Sequence, residues 1–503
     1  MSRLQLLGGS YAAASLTANA QRSVNLYPEV NPEQLDPESA VTHYPRPGLT
    51  PLGSPPNAGR GRGLYAATNG NLFAVVNQTL YYVTPGWQYL VLGQLADPRP
   101  TPVYMADNGV TLVAVDGSPT ASLVNLATNA FSPYGDPNYL ASDRVAFLDY
   151  FLVFNQSGSP NWYCTLANST TLDPESLGTK TAYPDNVVCV LPSGRFAWVF
   201  GPRKSEVWAN AGALPFPFQI VSGNIVEHGT IAKYSPAASD VYVYWLTQNP
   251  EGGLMVARGT VGGSSNRIST SALEEAFLQY DNPSDAIGVC YTLRGHANYM
   301  LHFQQDDRTW VWDEATKQWH EEAYYDTNGV QHRTRDVFQA YAYGKNVSLD
   351  WATGQLYQRD EGNFSDNGSQ IIFIKSMPHI LDKEDYSRLT LWRVIADMEC
   401  GNGPGFPSPT ITSPWSLGFN AGFGPRILVE PPRVTLRVSR DRGFSFVSAG
   451  DVPMGAQGQY VTRPMWKRLG VATDFVLELS WAGPMKSALN SVFAIIEPHE
   501  ADA

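Results

Sequence analysis

The stretch Leu64–Val83, LYAATNGNLFAVVNQTLYYV, consists of short apolar runs separated by turn residues. Tyrosine, valine and phenylalanine favour strands, and glycine and asparagine favour the turns between them. The pattern of run, turn, run and turn begins again at Val103, Val145, Val187, Val241, Val289 and Ala340. These starts are roughly 40 to 55 residues apart, which is near the length of a four-stranded propeller blade. The sequence therefore predicts an all-β chain built around a β-propeller of six or seven blades.

The main alternative to a propeller is a pair of β-sandwiches. Each repeat unit has one hydrophobic face that is too small to be stable by itself, and radial stacking buries those faces while leaving only short edges. Two sandwiches would need two separate cores joined by a linker, and no flexible linker interrupts the sequence between Leu64 and Tyr357. The propeller is therefore the favoured interpretation.

The regions on either side of the repeats differ from them in composition. Residues 1–62 are rich in proline and polar residues and lack sustained periodicity, which predicts an extended N-terminal arm that becomes ordered where it finds a groove. Residues 63–362 form the predicted propeller. Residues 363–503 contain longer runs with alternating apolar and polar residues, such as Arg388–Met398 and Phe475–Trp481, which predict a C-terminal β-sandwich-like domain.

The chain is acidic, with 46 Asp and Glu against 34 Lys and Arg and a formal net charge of −12. Proteins that hold nucleic acid by neutralising phosphates usually carry a basic patch, so such a function is disfavoured. The charge has two interpretations: an acidic wall that repels nucleic acid, or ordinary surface charge that keeps the protein soluble. No apolar run of about 18 residues occurs, and the polar N-terminal segment does not fit a secretory signal. We therefore expect a chain made in a cytoplasm, without membrane insertion.

Sequence patterns that carry catalysis or bind a cofactor do not occur in the chain. The four cysteines are far apart and form no CxxC pair, so we expect them to be reduced and buried. On one strand, His296 and His302 would be roughly 20 Å apart, too far to share a metal ion. No Walker loop, HExxH, G-x-S-x-G or G-x-G-x-x-G context is present. The sequence predicts no catalytic residue, no cofactor, no metal and no enzyme activity.

The segment Ser439–Phe446, SRDRGFSF, fits the pattern S-x-D-x-G-x-[ST]-[WF], an Asp-box of the kind found on sialidase propellers. The box is structural, because its Asp accepts hydrogen bonds from backbone N–H groups of a hairpin turn and its Gly takes a positive φ. A glycosidase would also need two positioned carboxylates, which the sequence cannot place. The motif nevertheless leaves a glycan-binding or sialidase-like propeller open as an alternative.

The segment Phe200–Gly229, FGPRKSEVWANAGALPFPFQIVSGNIVEHG, is apolar, aromatic and rich in turn residues. Pro215 and Pro217 hold an extended stretch that presents Phe216 and Phe218. The segment is interpreted either as a proline-braced hairpin at the edge of the core or as a surface held against a partner.

The segment Arg463–Gly470 is the most basic part of this acidic chain, and it combines Trp466 with Arg468. Tryptophan and arginine together are favoured at the centres of protein interfaces. A strand whose arginines cover its solvent face would have the same composition, so both interpretations stay open.

Two segments of the sequence resemble motifs of the packaged-DNA stabilisation proteins of short-tailed phages, which form the tail nozzle. The first is AQRSVNLYPE at Ala20–Glu29, and the second begins at Phe200. The corresponding residues are Gln21, Arg22, Asn25, Leu26, Tyr27, Pro28 and Glu29, then Gly201, Ser205, Glu206, Val207, Trp208, Asn210, Gly212, Pro217 and Phe218. The likeness continues through Trp245-Leu246 and Arg267–Thr270 to Arg468–Gly470.

The resemblance implies a structural virion protein: a tail nozzle, or head completion, subunit that forms a ring below the portal and adaptor, retains packaged DNA and forms the ejection channel. The implied partners are the copies of a homohexamer, the portal adaptor ring, tailspike or fibre proteins, and a tail needle or other distal plug. DNA would pass through the lumen without sequence-specific binding, and assembly would take place in the bacterial host cytoplasm. We expect the interface with the adaptor or a neighbouring subunit to include Arg22, Asn25, Tyr27, Trp208, Phe216, Phe218, Trp466 and Arg468.

Two other functions compete with the nozzle subunit. The first is a receptor-binding tail propeller that binds or cleaves a glycan, which the Asp-box suggests. The second is a soluble propeller scaffold that works alone, which would be monomeric and would not bind an adaptor.

Overall fold

A computed structural model describes residues 2–5, 11–12, 15–30, 41–260, 265–382, 384, 386–401, 432–455, 458–483 and 485–499. The chain forms two compact units, one of Thr50–Arg359 and the other of Met1–Leu49 together with Asp360–Ala503. Strands dominate the described part of both units. The α-helix Ser271–Leu278 begins after the N-cap Thr270, whose hydroxyl accepts a hydrogen bond from the Leu273 N–H.

The unit Thr50–Arg359 is built around seven blades, each formed by four neighbouring strands of a sheet. Blade 1 contains Gly61–Ala66, Leu72–Val76, Thr79–Val83 and Tyr89–Gln94, and blade 2 contains Tyr104–Asp107, Thr111–Val115, Ser122–Asn125 and Phe131–Pro133. Blade 3 contains Val145–Leu148, Phe151–Asn155, Asn161–Thr165 and Leu172–Thr179, and blade 4 contains Cys189–Ser193, Phe196–Phe200, Ser205–Asn210 and Phe218–Val226. Blade 5 contains Ala237–Ala238, Val243–Gln248, Leu254–Gly259 and Asn266–Arg267. Blade 6 contains Ile287–Leu293, His296–Phe303, Arg308–Asp313 and Gln318–Glu321. Blade 7 contains Asp336–Ala342, Lys345–Asp350, Leu356–Asp360 and Gly48–Gly53. A 3-10 turn, Pro283–Asp285, and a small hairpin, Ala323–Tyr325 with Gln331–Arg333, lie between blades.

The blades form a closed ring. The first strand of each blade contacts the first strand of the next, and Asp336–Ala342 of blade 7 contacts Gly61–Ala66 of blade 1. The fourth strand of blade 7, Gly48–Gly53, comes from the other end of the sequence and follows Leu356–Asp360 in the sheet. The predicted β-propeller is confirmed, and the number of blades is seven.

Stacking of the blades explains why their second strands are apolar on both faces. In Leu72–Val76 of blade 1, the side chains of Leu72, Ala74 and Val76 pack towards blade 7. Phe73 and Val75 point to the opposite face and pack towards blade 2. All five residues are buried, and each fully buried Val, Leu or Phe side chain contributes about 1.5–3 kcal/mol. The ring thus stabilises strands that could not be stable in an isolated sheet.

The second unit is a β-sandwich with a core shared by two sheets. One sheet contains, in order, Met465–Lys467, Leu389–Met398, Leu489–Pro498, Val41–Pro45 and Leu26–Val30, with Ser2–Gln5 and Val471–Ala472 paired at its side. The other contains Ser23–Val24, Ile372–Ser376, Asp474–Ala482, Arg433–Ser439 and Val447–Pro453, with Ile380–Leu381 at its side. The short strands Tyr11–Ala12, Ala20–Gln21, Ser365–Asp366 and Ser369–Gln370 complete this unit in the described residues.

The course of the first 62 residues differs from the extended arm in the sequence-based prediction. Residues up to Leu49 belong to the sandwich unit, where Leu26–Val30 pairs with Val41–Pro45, and the chain passes into the propeller unit at Thr50. It returns to the sandwich unit at Asp360. The composition gave no sign of this division, because the strands of residues 20–45 are short and two of them, Ser23–Val24 and Val41–Pro45, also pair with strands near the far end of the sequence.

Candidate interaction sites

The segment Phe200–Gly229 forms the outer part of blade 4. Trp208 and Phe218 lie in its third and fourth strands and are only 8% and 2% exposed. Their rings, with the half-buried ring of Phe216, surround Trp162 of blade 3 at centroid distances of 4.9 to 5.4 Å. These contacts fit the interpretation of the segment as a hairpin at the edge of the core. The three predicted interface aromatics of this segment hold blades 3 and 4 together.

A buried carboxylate of the same segment holds in place the stretch of chain that leads into blade 4. Glu206 is fully buried, and its side chain accepts hydrogen bonds from the Trp208 Nε1–H at 2.9 Å and from the Thr181 N–H at 2.7 Å. It also accepts a hydrogen bond from the backbone N–H of Ala182. The sequence analysis assigned no role to Glu206, and its position two residues before a tryptophan on a strand was the available signal.

The loop between the third and fourth strands is one of the exposed parts of Phe200–Gly229. Leu214 at its tip is 92% exposed, and Ile220 and Ile225 on the outer strand are also exposed. The peptide bond between Leu214 and Pro215 is cis. Exposed aliphatic side chains are the atoms of this segment that a partner could reach, since the aromatic rings are covered by the chain itself.

The N-terminal word AQRSVNLYPE holds the sandwich unit together. Asn25 is buried with a φ of 59°, donates from Nδ2 to the carbonyl of Ile372 at 2.8 Å and accepts at Oδ1 from the Arg46 Nε–H at 2.8 Å. Arg46 in turn forms a buried ion pair with Asp366. Tyr27 is buried and stacks on the ring of Tyr44 at 5.8 Å.

The remaining three predicted interface residues lie in different environments. Arg22 is half-buried, and its carbonyl accepts a hydrogen bond from the Ser376 N–H at 3.0 Å. Trp466 is 4% exposed and donates from Nε1 to the carbonyl of Gly450 at 2.8 Å. Arg468 has an exposed side chain and a φ of 58°. Arg468 is therefore the one of the eight predicted residues whose side chain is fully available to a partner.

The axis of the propeller is filled with side chains. Tyr234, Ile287 and Val337, which come from the inner edges of blades 5, 6 and 7, form one buried cluster. Tyr104 of blade 2 stacks on Tyr234, and the guanidinium of Arg144 of blade 3 lies 3.9 Å from the centre of the Tyr104 ring. Side chains from five blades thus meet at the centre, and in the part of the chain that the structure describes they leave no passage along the axis wide enough for a DNA duplex.

A cavity of about 600 Å³ lies at the end of the propeller where the inner strands begin. Its walls come from the segments that precede the first strands of blades 1, 2, 5, 6 and 7 and from two hairpin turns. The lining residues are Arg60, Pro100, Thr101, Pro102, Tyr234, Asp285, Gln304, Gln305, Asp307, His332, Arg333 and Trp351. The sequence analysis did not find this cavity, because its residues are dispersed over almost the whole propeller.

The Asp-box lies in the sandwich unit and turns the hairpin between Arg433–Ser439 and Val447–Pro453. The Asp441 carboxylate accepts hydrogen bonds from the Ser445 N–H at 2.9 Å and from the Ser439 hydroxyl at 2.7 Å, and Gly443 has a φ of 93°. Hydrogen bonds from Ser445 and Ser439 lower the pKa of Asp441 to about 2. The box therefore has the structural role that its sequence predicts, in a unit other than the propeller.

The described residues provide neither a cluster of metal ligands nor a membrane-spanning helix. They contain no group of three or more His, Cys, Asp and Glu side chains that could hold a metal ion. They also contain no helix that is long and apolar enough to cross a membrane. Cys164, Cys189 and Cys400 are buried and Cys290 is half-buried, and all four carry free thiols.

A protein-family model described as "Bacteriophage P22 Gp10, beta-propeller", of the phage stabilisation family, matches residues 2–361. The match covers more than two thirds of the chain, including the whole ring of blades. The chain belongs to this family. This phage stabilisation protein is therefore a structural component of the virion, of the kind that stabilises packaged DNA at the tail nozzle.

Comparison of the phage stabilisation protein with other known proteins adds little. No curated protein matches it. Among solved structures, the "Crystal Structure of the N-terminal Domain of Nup159" is 11% identical, with a TM-score of 0.41, over 67% of this chain and 98% of that chain. The "Crystal Structure of Mitotic Checkpoint Complex" is 10% identical, with a TM-score of 0.41, over 66% of this chain and 96% of that chain.

Proposed function

We propose that the protein is a tail nozzle subunit that completes the filled head. Several copies, six in the arrangement we favour, form a ring below the portal and its adaptor, retain the packaged DNA and form the channel for its ejection. The match of the family model to residues 2–361 supports this assignment. The family is structural, and we propose no catalytic role for the chain.

The filled axis of the propeller supports a ring of several copies. Since the Tyr104, Tyr234, Ile287 and Val337 side chains meet at the centre of the blades, a DNA channel cannot run through one subunit. The channel that we propose lies between subunits. Such a ring requires a heterologous, head-to-tail interface, and a permanent interface of this type buries on the order of 2,000 Å² or more.

The charge of the chain fits a channel through which DNA slides. A net charge of −12 disfavours adhesion to phosphates, and at physiological salt the repulsion acts within about 8 Å of the wall. DNA contacts in the channel would therefore be independent of base sequence, because base readout requires donors and acceptors held in a groove.

The proposed protein partners are the adaptor ring, tailspike or fibre proteins, and a needle or other distal plug, assembled in the host cytoplasm. The exposed loop with Leu214 and the exposed Arg468 are the parts of the predicted interface segments that such partners could contact. The buried residues of those segments would act indirectly, by holding the blades and the sandwich in shape.

The proposal can be tested with DNA-filled heads that carry the adaptor but lack this protein. Adding the purified full chain should produce a ring visible by electron microscopy and should protect the packaged DNA from nuclease. If the protein does not bind these heads, or binds without any gain in DNA retention, the nozzle assignment is wrong.

A matched pair of variants tests the role of the exposed loop. Leu214→Asp places a charge at a position that is 92% exposed, and Val110→Asp does the same at a 63% exposed position on a hairpin turn of blade 2. We expect Leu214→Asp to reduce ring formation and Val110→Asp to leave it unchanged. Equal ring yields for the two variants would exclude the loop from the interface.

A further inference from the structure

The cavity at the end of the propeller contains an arginine without a hydrogen-bond acceptor. Arg333 is 2% exposed, and within the described residues its Nε and Nη1 atoms have no hydrogen-bond partner. Its guanidinium lies 3.8 Å from the centre of the Trp351 ring, which supports the group from one side by a cation–π contact. Buried donors without acceptors are costly, so these two donors need an explanation.

A second arginine lies in the same cavity. Arg60, directly before the first strand of blade 1, is half-buried and donates from Nη2 to Gln304 Oε1. Burial lowers the pKa of Arg333 to about 10, and the positive charge of Arg60 contributes to the decrease. The two positively charged guanidinium groups therefore repel each other, and an anion between or beside them would reduce this repulsion.

The acidic residues of the cavity are already occupied by bonds to their own loops. Asp285 accepts from the backbone N–H groups of Gln304 at 3.0 Å and Gln305 at 2.8 Å. Asp307 accepts from the Arg333 backbone N–H at 3.0 Å and contacts His332 Nδ1 at 2.6 Å. These carboxylates shape the turns, whereas the Nε and Nη1 donors of Arg333 have no partner in the described residues. The unfilled hydrogen-bonding capacity of the cavity is thus on the donor side.

We propose that this cavity binds the carboxylate of an acidic peptide segment from a partner protein, with Arg333 and Arg60 as the residues that hold it. The planar guanidinium matches a carboxylate with two parallel hydrogen bonds. The apolar surfaces of Tyr234, Trp351 and Pro102 take the side chains next to the acidic residue.

The surroundings favour a peptide over a nucleic acid. Asp285 and Asp307 lie in the same walls, and the chain has a net charge of −12, so a polyanionic backbone would be repelled on approach. A single carboxylate flanked by apolar side chains carries the least charge that satisfies Arg333. The volume of about 600 Å³ holds only a few side chains, as in other preformed ligand pockets.

The test uses two matched pools of seven-residue peptides that are random except at the centre, with Glu in one pool and Gln in the other. Each pool is passed over immobilised full-length protein, and the retained peptides are quantified by mass spectrometry. We expect the Glu pool to be retained about tenfold more than the Gln pool, because hydrogen bonds to charged groups are the stronger ones.

Variants assign the retention to the cavity. Arg333→Gln and Arg60→Gln should each abolish the preference for Glu, whereas Arg195→Gln, at an arginine that is 82% exposed on blade 4, should keep it. Arg60 is half-buried, so Arg60→Gln decides the test even if Arg333→Gln does not fold.

Three results would overturn the proposal. They are equal retention of the two pools, a preference for Glu that survives Arg60→Gln, or tighter binding of a DNA oligonucleotide that Arg60→Gln removes. None of these depends on ring formation, so the nozzle assignment and the peptide site can fail separately.

Discussion

Tyr104 and Tyr234 stack on each other with ring centroids 6.0 Å apart and ring planes inclined by 20°. Tyr104 begins the first strand of blade 2, and Tyr234 lies just before the first strand of blade 5. The main contacts between inner strands connect successive blades, whereas this pair connects blades 2 and 5, which are not neighbours. The two rings therefore brace the propeller across its centre.

Removal of one ring should weaken the propeller. Tyr234 is 7% exposed, and Tyr234→Ala would leave a cavity among Tyr104, Ile287 and Val337. We expect the free energy of unfolding to fall by about 3 kcal/mol, measured by urea denaturation. Tyr150→Ala, at a 63% exposed ring, is the control and should change it by less than about 0.5 kcal/mol. Similar losses for both variants would show that the central stack carries no special stability.

The buried ion pair of Arg46 and Asp366 should be sensitive to the loss of one partner. Their side chains are 1% and 2% exposed, so Asp366→Ala removes a buried carboxylate that faces the buried guanidinium of Arg46. We expect a loss of about 3–5 kcal/mol in unfolding free energy, and partial recovery in the double variant Arg46→Met, Asp366→Leu. Arg195→Ala breaks the pair between this exposed arginine and Asp149 and should cost less than about 1 kcal/mol. A small effect of Asp366→Ala would mean that water reaches the pair.

Glu206 should be required for the stability of blade 4. Glu206→Ala removes the acceptor for the Trp208 Nε1–H and for the Thr181 backbone N–H, which leaves both donors unsatisfied. We expect a loss of about 3 kcal/mol in unfolding free energy. Glu227→Ala removes an exposed carboxylate of the same blade that pairs with Lys204, and a change below about 1 kcal/mol is expected. Calorimetry gives the melting temperatures of the two variants. Equal melting temperatures would contradict the role assigned to Glu206.

His302 should make the protein less stable in mild acid. Burial lowers the pKa of His302 to about 3, and the positive charges of Arg333 and Arg359 add to this. The unfolded chain takes up a proton below about pH 6.5, so the contribution of the neutral ring is complete above that pH and is lost as the pH falls towards 3. Between pH 6.5 and 5 this amounts to about 2 kcal/mol.

A variant isolates the contribution of His302 from those of other groups. His302→Asn should reduce the decline in unfolding free energy between pH 6.5 and 5 by about 2 kcal/mol. His499→Asn, at an exposed position, should follow the wild type. Parallel pH profiles for His302→Asn and the wild type would show that the buried ring does not control the acid sensitivity.

The blades were predictable because their signals are local. The pattern of run and turn placed a start at Val145, which is the first residue of blade 3, and another at Leu64, within the first strand of blade 1. Such a pattern reports which faces are buried, and in a ring of blades both faces of a strand such as Leu72–Val76 are buried.

The environments of single side chains were not predictable to the same degree. Trp208 and Phe218 have the composition of an interface, but a core between two blades selects the same large aromatic rings. Asn25 finds its partner Ile372 at a separation of 347 positions, which no local pattern reveals. Within the described residues, the Nε and Nη1 atoms of Arg333 have no hydrogen-bond partner, and this is a property of the assembled cavity alone.

The strand Gly48–Gly53 has a consequence for how the protein is made. It leaves the ribosome roughly 300 residues before Leu356–Asp360, the strand beside which it is placed. At about 5–20 residues per second, this interval is about 15–60 s. During translation the first six blades can stack in order. The ring cannot close until the last blade has been synthesised and has paired with Gly48–Gly53, a segment made near the start of synthesis.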